Sequence, residues 1–423
     1  MGGDGFGMFD HILYINLDKR TDRRWQLECE LRKMGVPDSK ITRISGVIDR
    51  FGSLGCSKAH LAALTLFEQH PDWENVLIME DDAMFSQSRE QIDSVLNQFC
   101  SLHIKWDVLQ LLANVQEFRE TTFPGIVRFV ETQTTACYAV NKTFLSILKS
   151  NVAEGISKLE KCENSQSDFC IDQYWKPLQK AHTWLGFTPV IGYQRDGYSD
   201  IEQRVTNYND KVSLTTSYNP DDFLLVIKGT ASFQPANLKY FCYIADENLQ
   251  QDYEFDIDTR VLKVRCKDDE LNNCCKFGQM LRFLRNVLVA CPSTKGAFFV
   301  ENVSLSENQQ LLADLRNNSK FEYWGTVESV KAASMRVANF ETSVPNGLEY
   351  CPFRSGFYLS NDTIFKLLRR NDLFLSFPSA DRLEFHYNSS RVLENVCVWE
   401  DINVAEALRS FQVFPKSEKL FNL

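Results

Sequence analysis

The segment Val76-Leu-Ile-Met-Glu-Asp-Asp82 constrains this chain more than any other. A short, fully apolar run stops abruptly at three acids, which predicts a strand that delivers carboxylates to a sheet's C-terminal edge. The flanking segments repeat one rhythm. Residues 10–17 read as a strand and Trp25 to Met34 as a helix that Pro37 ends. Residues 41–47 read as a strand and Cys56 to Gln69 as a helix. Strands are expected at 106–112 and 134–140, a helix begins near Phe144, and the polar stretch 151–170 reads as a loop or lid. Strand and helix in alternation predict a mainly parallel α/β sheet.

The turn-rich stretch 207–222 marks a domain boundary, after which the rhythm restarts. Strands are expected at 223–227, 239–244, 261–265 and 296–300. Helices are expected at 277–288, at 306–315 with Ser306 as cap, and at 404–411. The expected organisation is a flexible leader over 1–8, a first domain over 9–216 and a second over 217–423. This amounts to one long repeat of two α/β units of about 200 residues each.

With 56 acids against 46 bases the chain carries a formal charge of −10, which argues against a general nucleic-acid binder. The apolar runs are too short for a membrane span. The start of the chain has neither the basic residues nor the apolar stretch of a secretory signal, so the expectation is a cytoplasmic protein with reduced thiols.

A carboxylate cluster at a sheet edge is unfavourable unless a cation or a hydrogen-bond network compensates it. Mg²⁺ and Mn²⁺ are held by one or two carboxylates plus substrate phosphates, so the pattern suits a metal–diphosphate site. A solvated acidic turn reads equally well on this motif alone. Asn16-Leu-Asp18 follows the first strand, and Arg20, Arg23 and Arg24 follow it with guanidinium forks suited to phosphate, or to a charged surface helix start.

Ile15-Asn-Leu-Asp-Lys-Arg-Thr-Asp-Arg-Arg24 resembles the opening signature of glycosyltransferase family 25, the lipopolysaccharide- and procollagen-galactosyltransferase type. Gly55-Cys-Ser-Lys-Ala-His60, Leu77-Ile-Met-Glu-Asp-Asp82 and Gln194-Arg-Asp-Gly-Tyr-Ser-Asp-Ile-Glu202 resemble that family's later blocks in the expected order. Thr134-Thr-Ala-Cys-Tyr138 resembles its acceptor-side strand. Ala59 departs from the usual Ser before His60. The resemblance covers about 9–210. It implies a GT-A fold, a UDP-sugar donor, Mn²⁺ or Mg²⁺, and inversion at the anomeric carbon, with a glycan or glycoprotein as acceptor. Glu80 and Asp82 are the implied metal ligands. Asn16, Asp18, Arg20, Arg24, His60, Asp81, Arg195 and Ser199 are the implied nucleotide-sugar contacts. Asp172, or else Asp200, is the implied general base.

A sparser resemblance, to glycosyltransferase family 31 (the β1,3-galactosyltransferase type), spans 223–423. Tyr323-Trp-Gly-Thr326, Tyr350 to Ser360 and Trp399-Glu-Asp-Ile-Asn-Val404 carry it. Phe298-Phe-Val-Glu-Asn-Val303 keeps one carboxylate, Glu301, where that family has three; Glu400 and Asp401 supply further acids. The expected fold is thus α/β, with two GT-A-type domains in tandem. The second is an accessory unit, a second transferase or an unrelated α/β module. For the whole chain the alternative is a non-catalytic glycan- or nucleotide-sugar-binding protein. Nucleotidyl transfer would need a Gly-rich basic loop that the residues after the first strand lack.

Overall fold

The structure is a computed structural model. It describes residues 5–162, 167–199, 204–206, 223–229, 239–268, 273–291, 293–301, 315–318, 320–329, 334–337, 340–343, 348–369, 393–394 and 400–417. The chain divides into two compact units, 1–101 with 105–217 and 102–104 with 218–423. The expected boundary stretch 207–222 lies outside the described residues.

In the first unit, β1 (His11–Asn16), α1 (Thr21–Lys33), β2 (Ile41–Ser45), α2 (Gly52–Glu68) and β3 (Asn75–Glu80) follow the expected rhythm. Next come β4 (Ala83–Phe85), α3 (Arg89–Ser101), β5 (Val108–Glu120), β6 (Ile126–Asn141) and α4 (Leu145–Lys161). Two short helices, α5 (Ile171–Tyr174) and α6 (Lys176–Ala181), lead to β7 (Trp184–Phe187) and β8 (Gly192–Gln194). A small ribbon joins β9 (Gly197–Ser199) to β10 (Arg204–Thr206).

The six-stranded sheet has the order β2-β1-β3-β6-β5-β7. It is mixed rather than mainly parallel. β1 runs parallel to β2 and β3, whereas β6 runs antiparallel to both β3 and β5. The physical reason is the long β5–β6 hairpin, which brings its second strand back against β3 without a helical crossover. Leu13, Ile15, Val76 and Ile78 pack with Leu64 and Phe67 of α2 and Leu148 of α4 in one core. Ile12, Leu77 and Met79, of the other parity, are also fully buried, so the sheet is covered on both faces.

Two expectations are corrected. Residues 151–161 are not a loop: they complete α4, whose Leu145, Leu148, Val152, Ile156 and Leu159 form a buried stripe at helical spacing. Within the expected leader, Gly5–Met8 form a 3₁₀ turn. Phe6 is buried there with an edge-on contact to Phe85, and the Gly5 amide donates to Asp93 Oδ1 at 2.9 Å.

The second unit carries an eight-stranded sheet. Five of its strands are β11 (Leu224–Lys228), β12 (Lys239–Ala245), β13 (Tyr253–Asp256), β14 (Val261–Val264) and β15 (Gly296–Glu301). Their order is β13-β14-β12-β11-β15, continued by Phe357–Ser360, Tyr323–Gly325 and Lys416–Ser417. Helix α7 (Asn273–Ala290) precedes β15. The expected helix 306–315 falls outside the described residues except at Leu315.

The two units share a central pattern. The first strand of each lies between two parallel neighbours, and the neighbour that ends on an acid pairs antiparallel with a later strand. Among the described residues no helix is long and apolar enough to cross a membrane.

Candidate active site in the first unit

The C-terminal ends of β1 and β3 lie side by side, with Ile15 in register with Glu80. A cavity of about 600 Å³ opens there, a size that accommodates a small-molecule ligand. Asn16, Arg23, His60, the three acids Glu80, Asp81 and Asp82, and Asp172 all line it. The sheet edge where open α/β proteins bind ligands is therefore the edge that carries the acids.

Each acid has a different environment. Asp81 accepts from Asn16 Nδ2 at 2.8 Å and from Arg23 Nη1 at 3.0 Å. Burial pushes its carboxyl above the usual range, against the pull of these two bonds. Glu80 is held below the usual range: burial works to raise it, but His60 Nε2 at 3.3 Å and the Thr135 hydroxyl outweigh that. Asp82 takes a weaker bond from Arg23 at 3.3 Å. Burial, and then the neighbouring Glu80, push it up to about 7. Its second oxygen, Oδ1, is buried and has no hydrogen-bond partner. A buried carboxylate oxygen left unpaired is costly, and a cation is the natural partner for it.

His60 is fully buried, its Nδ1 2.9 Å from the Tyr138 hydroxyl and its ring stacked against that phenol. Helix α2 carries it to the sheet edge. Gly55, in the first turn of that helix, allows the approach: a Cβ there would sit 2.2 Å from the carbonyl oxygen of Val47.

Asp172 enters from α5. Its Oδ2 accepts the Thr134 amide at 3.1 Å, and burial raises its carboxyl above the usual range. Thr134 is held at φ 75°, a region that a β-branched residue scarcely visits. Three contacts hold it there. Besides the Asp172 bond, its hydroxyl lies 2.8 Å from Gln194 Oε1, and its carbonyl accepts from Gln110 Nε2 at 3.0 Å. Strain of this kind collects at functional sites.

The remaining expected residues are not all in the cavity. Arg20 bonds Asp22, and Arg24, half exposed, bonds Glu28, so neither lines it. Arg23, the middle arginine of the run, does. Asp18 is exposed and paired with Arg43 and Ser45. The Arg195 amide donates to the Asp82 carbonyl at 2.7 Å, and its side-chain Nε is buried without a hydrogen-bond partner. Ser199 ends β9, and Asp200 lies outside the described residues. Thr135 and Gln194 join the site without having been expected in these roles, although both lie in segments singled out in the sequence, Thr134 to Tyr138 and Gln194 to Glu202.

In the second unit Glu301 pairs with Lys228 Nζ at 3.5 Å, across the β11–β15 register. Glu400 and Asp401 begin the helix Glu400–Arg409, and their side chains lie outside the described residues.

No family model and no curated protein matches the sequence. Among solved structures, the chain is similar to a glycosyltransferase involved in glycosylation of the major capsid of PBCV-1. The TM-score is 0.32 at 10% identity, over 46% of this chain and 95% of that one. It is similar to A197 from STIV at TM-score 0.26 and 13% identity, over 49% of this chain and 100% of that one. A 4-diphosphocytidyl-2C-methyl-D-erythritol synthase from Anaerococcus prevotii matches at 0.24 and 14%, over 48% of this chain and 78% of that one. Likenesses this loose carry no argument about activity.

Proposed function

We propose that the first unit is an inverting, metal-dependent glycosyltransferase that moves a hexose, galactose or glucose, from a UDP-sugar to a glycan or protein-linked acceptor. The observation that carries this reading is the buried, unpartnered Oδ1 of Asp82 beside Glu80 on the wall of a ligand-sized cavity. Two hard carboxylate donors fit Mn²⁺ or Mg²⁺, which leave their other positions to water and phosphate. Bound there, the ion would stabilise the charge that develops on the departing diphosphate.

The chain's own residues supply the rest. Arg23 sits between Asp81 and Asp82 and fixes both carboxylates. Asn16, tied to Asp81, closes the β1 side. Asp172, with its raised proton affinity and an oxygen anchored on the Thr134 amide, is suited to take the acceptor hydroxyl's proton. The acceptor's deprotonated oxygen then attacks the anomeric carbon as the bond to the nucleoside diphosphate breaks on the opposite face. The second unit serves as an accessory domain in this reading. At the edge corresponding to the acid cluster, Lys228 supplies an internal cation to its single acid, Glu301.

The test is turnover of a UDP-sugar panel with Mn²⁺ by the wild type and Asp82→Ala. The expected result is a loss of at least a hundredfold in the variant. Equal turnover by both proteins would overturn the metal role. Donor binding without turnover by the wild type, with or without acceptors, would favour the binding-protein reading.

A further inference from the structure

A second set of donors meets on the same cavity wall, and it has a different chemistry. Cys56 and His60 stand four residues apart on α2, so both side chains point the same way. Glu80 reaches them from the end of β3. One sulfur, one imidazole nitrogen and one carboxylate oxygen all lie within 4.8 Å of one another. Among the described residues this is the one group of three or more His, Cys, Asp and Glu side chains gathered closely enough to share an ion. The three strand-end acids do not form such a group.

We propose that Cys56 Sγ, His60 Nε2 and Glu80 form a zinc site with its fourth position open to the cavity. Thiolate and imidazole are borderline-soft donors that suit Zn²⁺ rather than Mg²⁺ or Mn²⁺. Three protein ligands with one open position are the arrangement of an accessible zinc centre. Donors around tetrahedral zinc stand about 3.3–3.8 Å apart, so the nitrogen and carboxylate, 3.3 Å apart, are already spaced for it. The sulfur has at most roughly 1 Å to close. The outer contacts also fit. The Tyr138 hydroxyl engages Nδ1 and leaves Nε2 turned to the ion, and the Thr135 hydroxyl bonds Glu80. All three donors line the cavity, so an ion has a route in. The site stands on these donors alone and needs no nucleotide sugar. It does use Glu80, so zinc would withdraw one of the two carboxylates offered to Mn²⁺, and trace zinc would act as an inhibitor.

Cobalt is the probe, since it takes zinc sites and reports its ligands by colour. Full-length protein titrated with Co²⁺ should develop a near-ultraviolet thiolate-to-cobalt charge-transfer band that saturates at one equivalent and is bleached by Zn²⁺. In Cys56→Ser that band should vanish. In Tyr138→Phe it should persist at saturation with affinity about 10–100-fold weaker. On the wild type, Zn²⁺ should cut iodoacetamide labelling of the Cys56 peptide at least tenfold, a reading that does not depend on any variant folding. A band that survives in Cys56→Ser, no band in the wild type, or Cys56 labelling unchanged by Zn²⁺ would each overturn the site.

Discussion

Replacing Asp82 by Asn should make the metal-free protein more stable while it removes activity. The folded-state pKa of Asp82, about 7, stands well above the ordinary aspartate value of 3.8. The folded protein therefore binds a proton that the unfolded chain releases. Stability from this group is fully present below pH 3.8, is lost as pH rises through 7, and stays lost above it. At 1.36 kcal/mol per pH unit, the loss reaches of the order of 4 kcal/mol at pH 8 and under about 2 kcal/mol at pH 5. Asn carries no charge to bury, but its amide needs partners in a pocket that leaves Oδ1 unpaired. The net gain at pH 8 is therefore about 1–4 kcal/mol. Arg23 keeps Asp81 at 3.0 Å in the variant, so little is lost there. Urea unfolding in EDTA at pH 8 and pH 5 measures the effect. Adding Mn²⁺ at a hundredfold excess over its dissociation constant should stabilise only the wild type, by about 2.7 kcal/mol, and reverse or narrow the ranking. An Asp82→Asn protein no more stable than wild type at pH 8, or a gap that does not shrink toward pH 5, would refute the reasoning.

Two further outcomes are expected. Asp172→Asn should lower kcat by about 10²–10⁴-fold with donor binding retained, measured by steady-state turnover and by titration with UDP; an unchanged kcat would remove Asp172 as the base. Gly55→Ala should lower the thermal midpoint, because its Cβ would press on the Val47 carbonyl and cost about 1–3 kcal/mol; an unshifted melting curve would show that α2 can move off that loop.

Much of this was legible in the chain itself. The strands at 11–16 and 75–80 follow from apolar runs with sharp polar ends, and the acids at the sheet edge follow from the second of them. The start of α4 was legible, but its continuation over 151–161 was hidden by polar residues: Glu154, Lys158 and Glu160 break up the view of a buried stripe whose spacing was present throughout. The antiparallel placement of β6 was not legible, because pairing direction depends on the length of the β5–β6 hairpin and not on the composition of either strand. Arg20, Arg23 and Arg24 are alike in sequence; only the rotation of α1 decides which of them faces the acids. Thr134 was flagged as part of an acceptor-side strand, but its positive φ comes from three tertiary bonds that no local pattern encodes.

The order of the strands also sets a timetable. β1, β2 and β3 emerge within the first eighty residues, yet β3 gains its second neighbour only with β6, and the cavity gains Asp172 and Gln194 later still. At about 5–20 residues per second, roughly 6–20 s of synthesis separate the acid cluster from its last walls. During that interval Glu80, Asp81 and Asp82 lack the later walls that bury them, and water screens their mutual repulsion. The electrostatic cost of the site falls on the final closing step, so variants that ease the acid cluster should speed that step and leave the early pairing of β1 with β2 and β3 untouched.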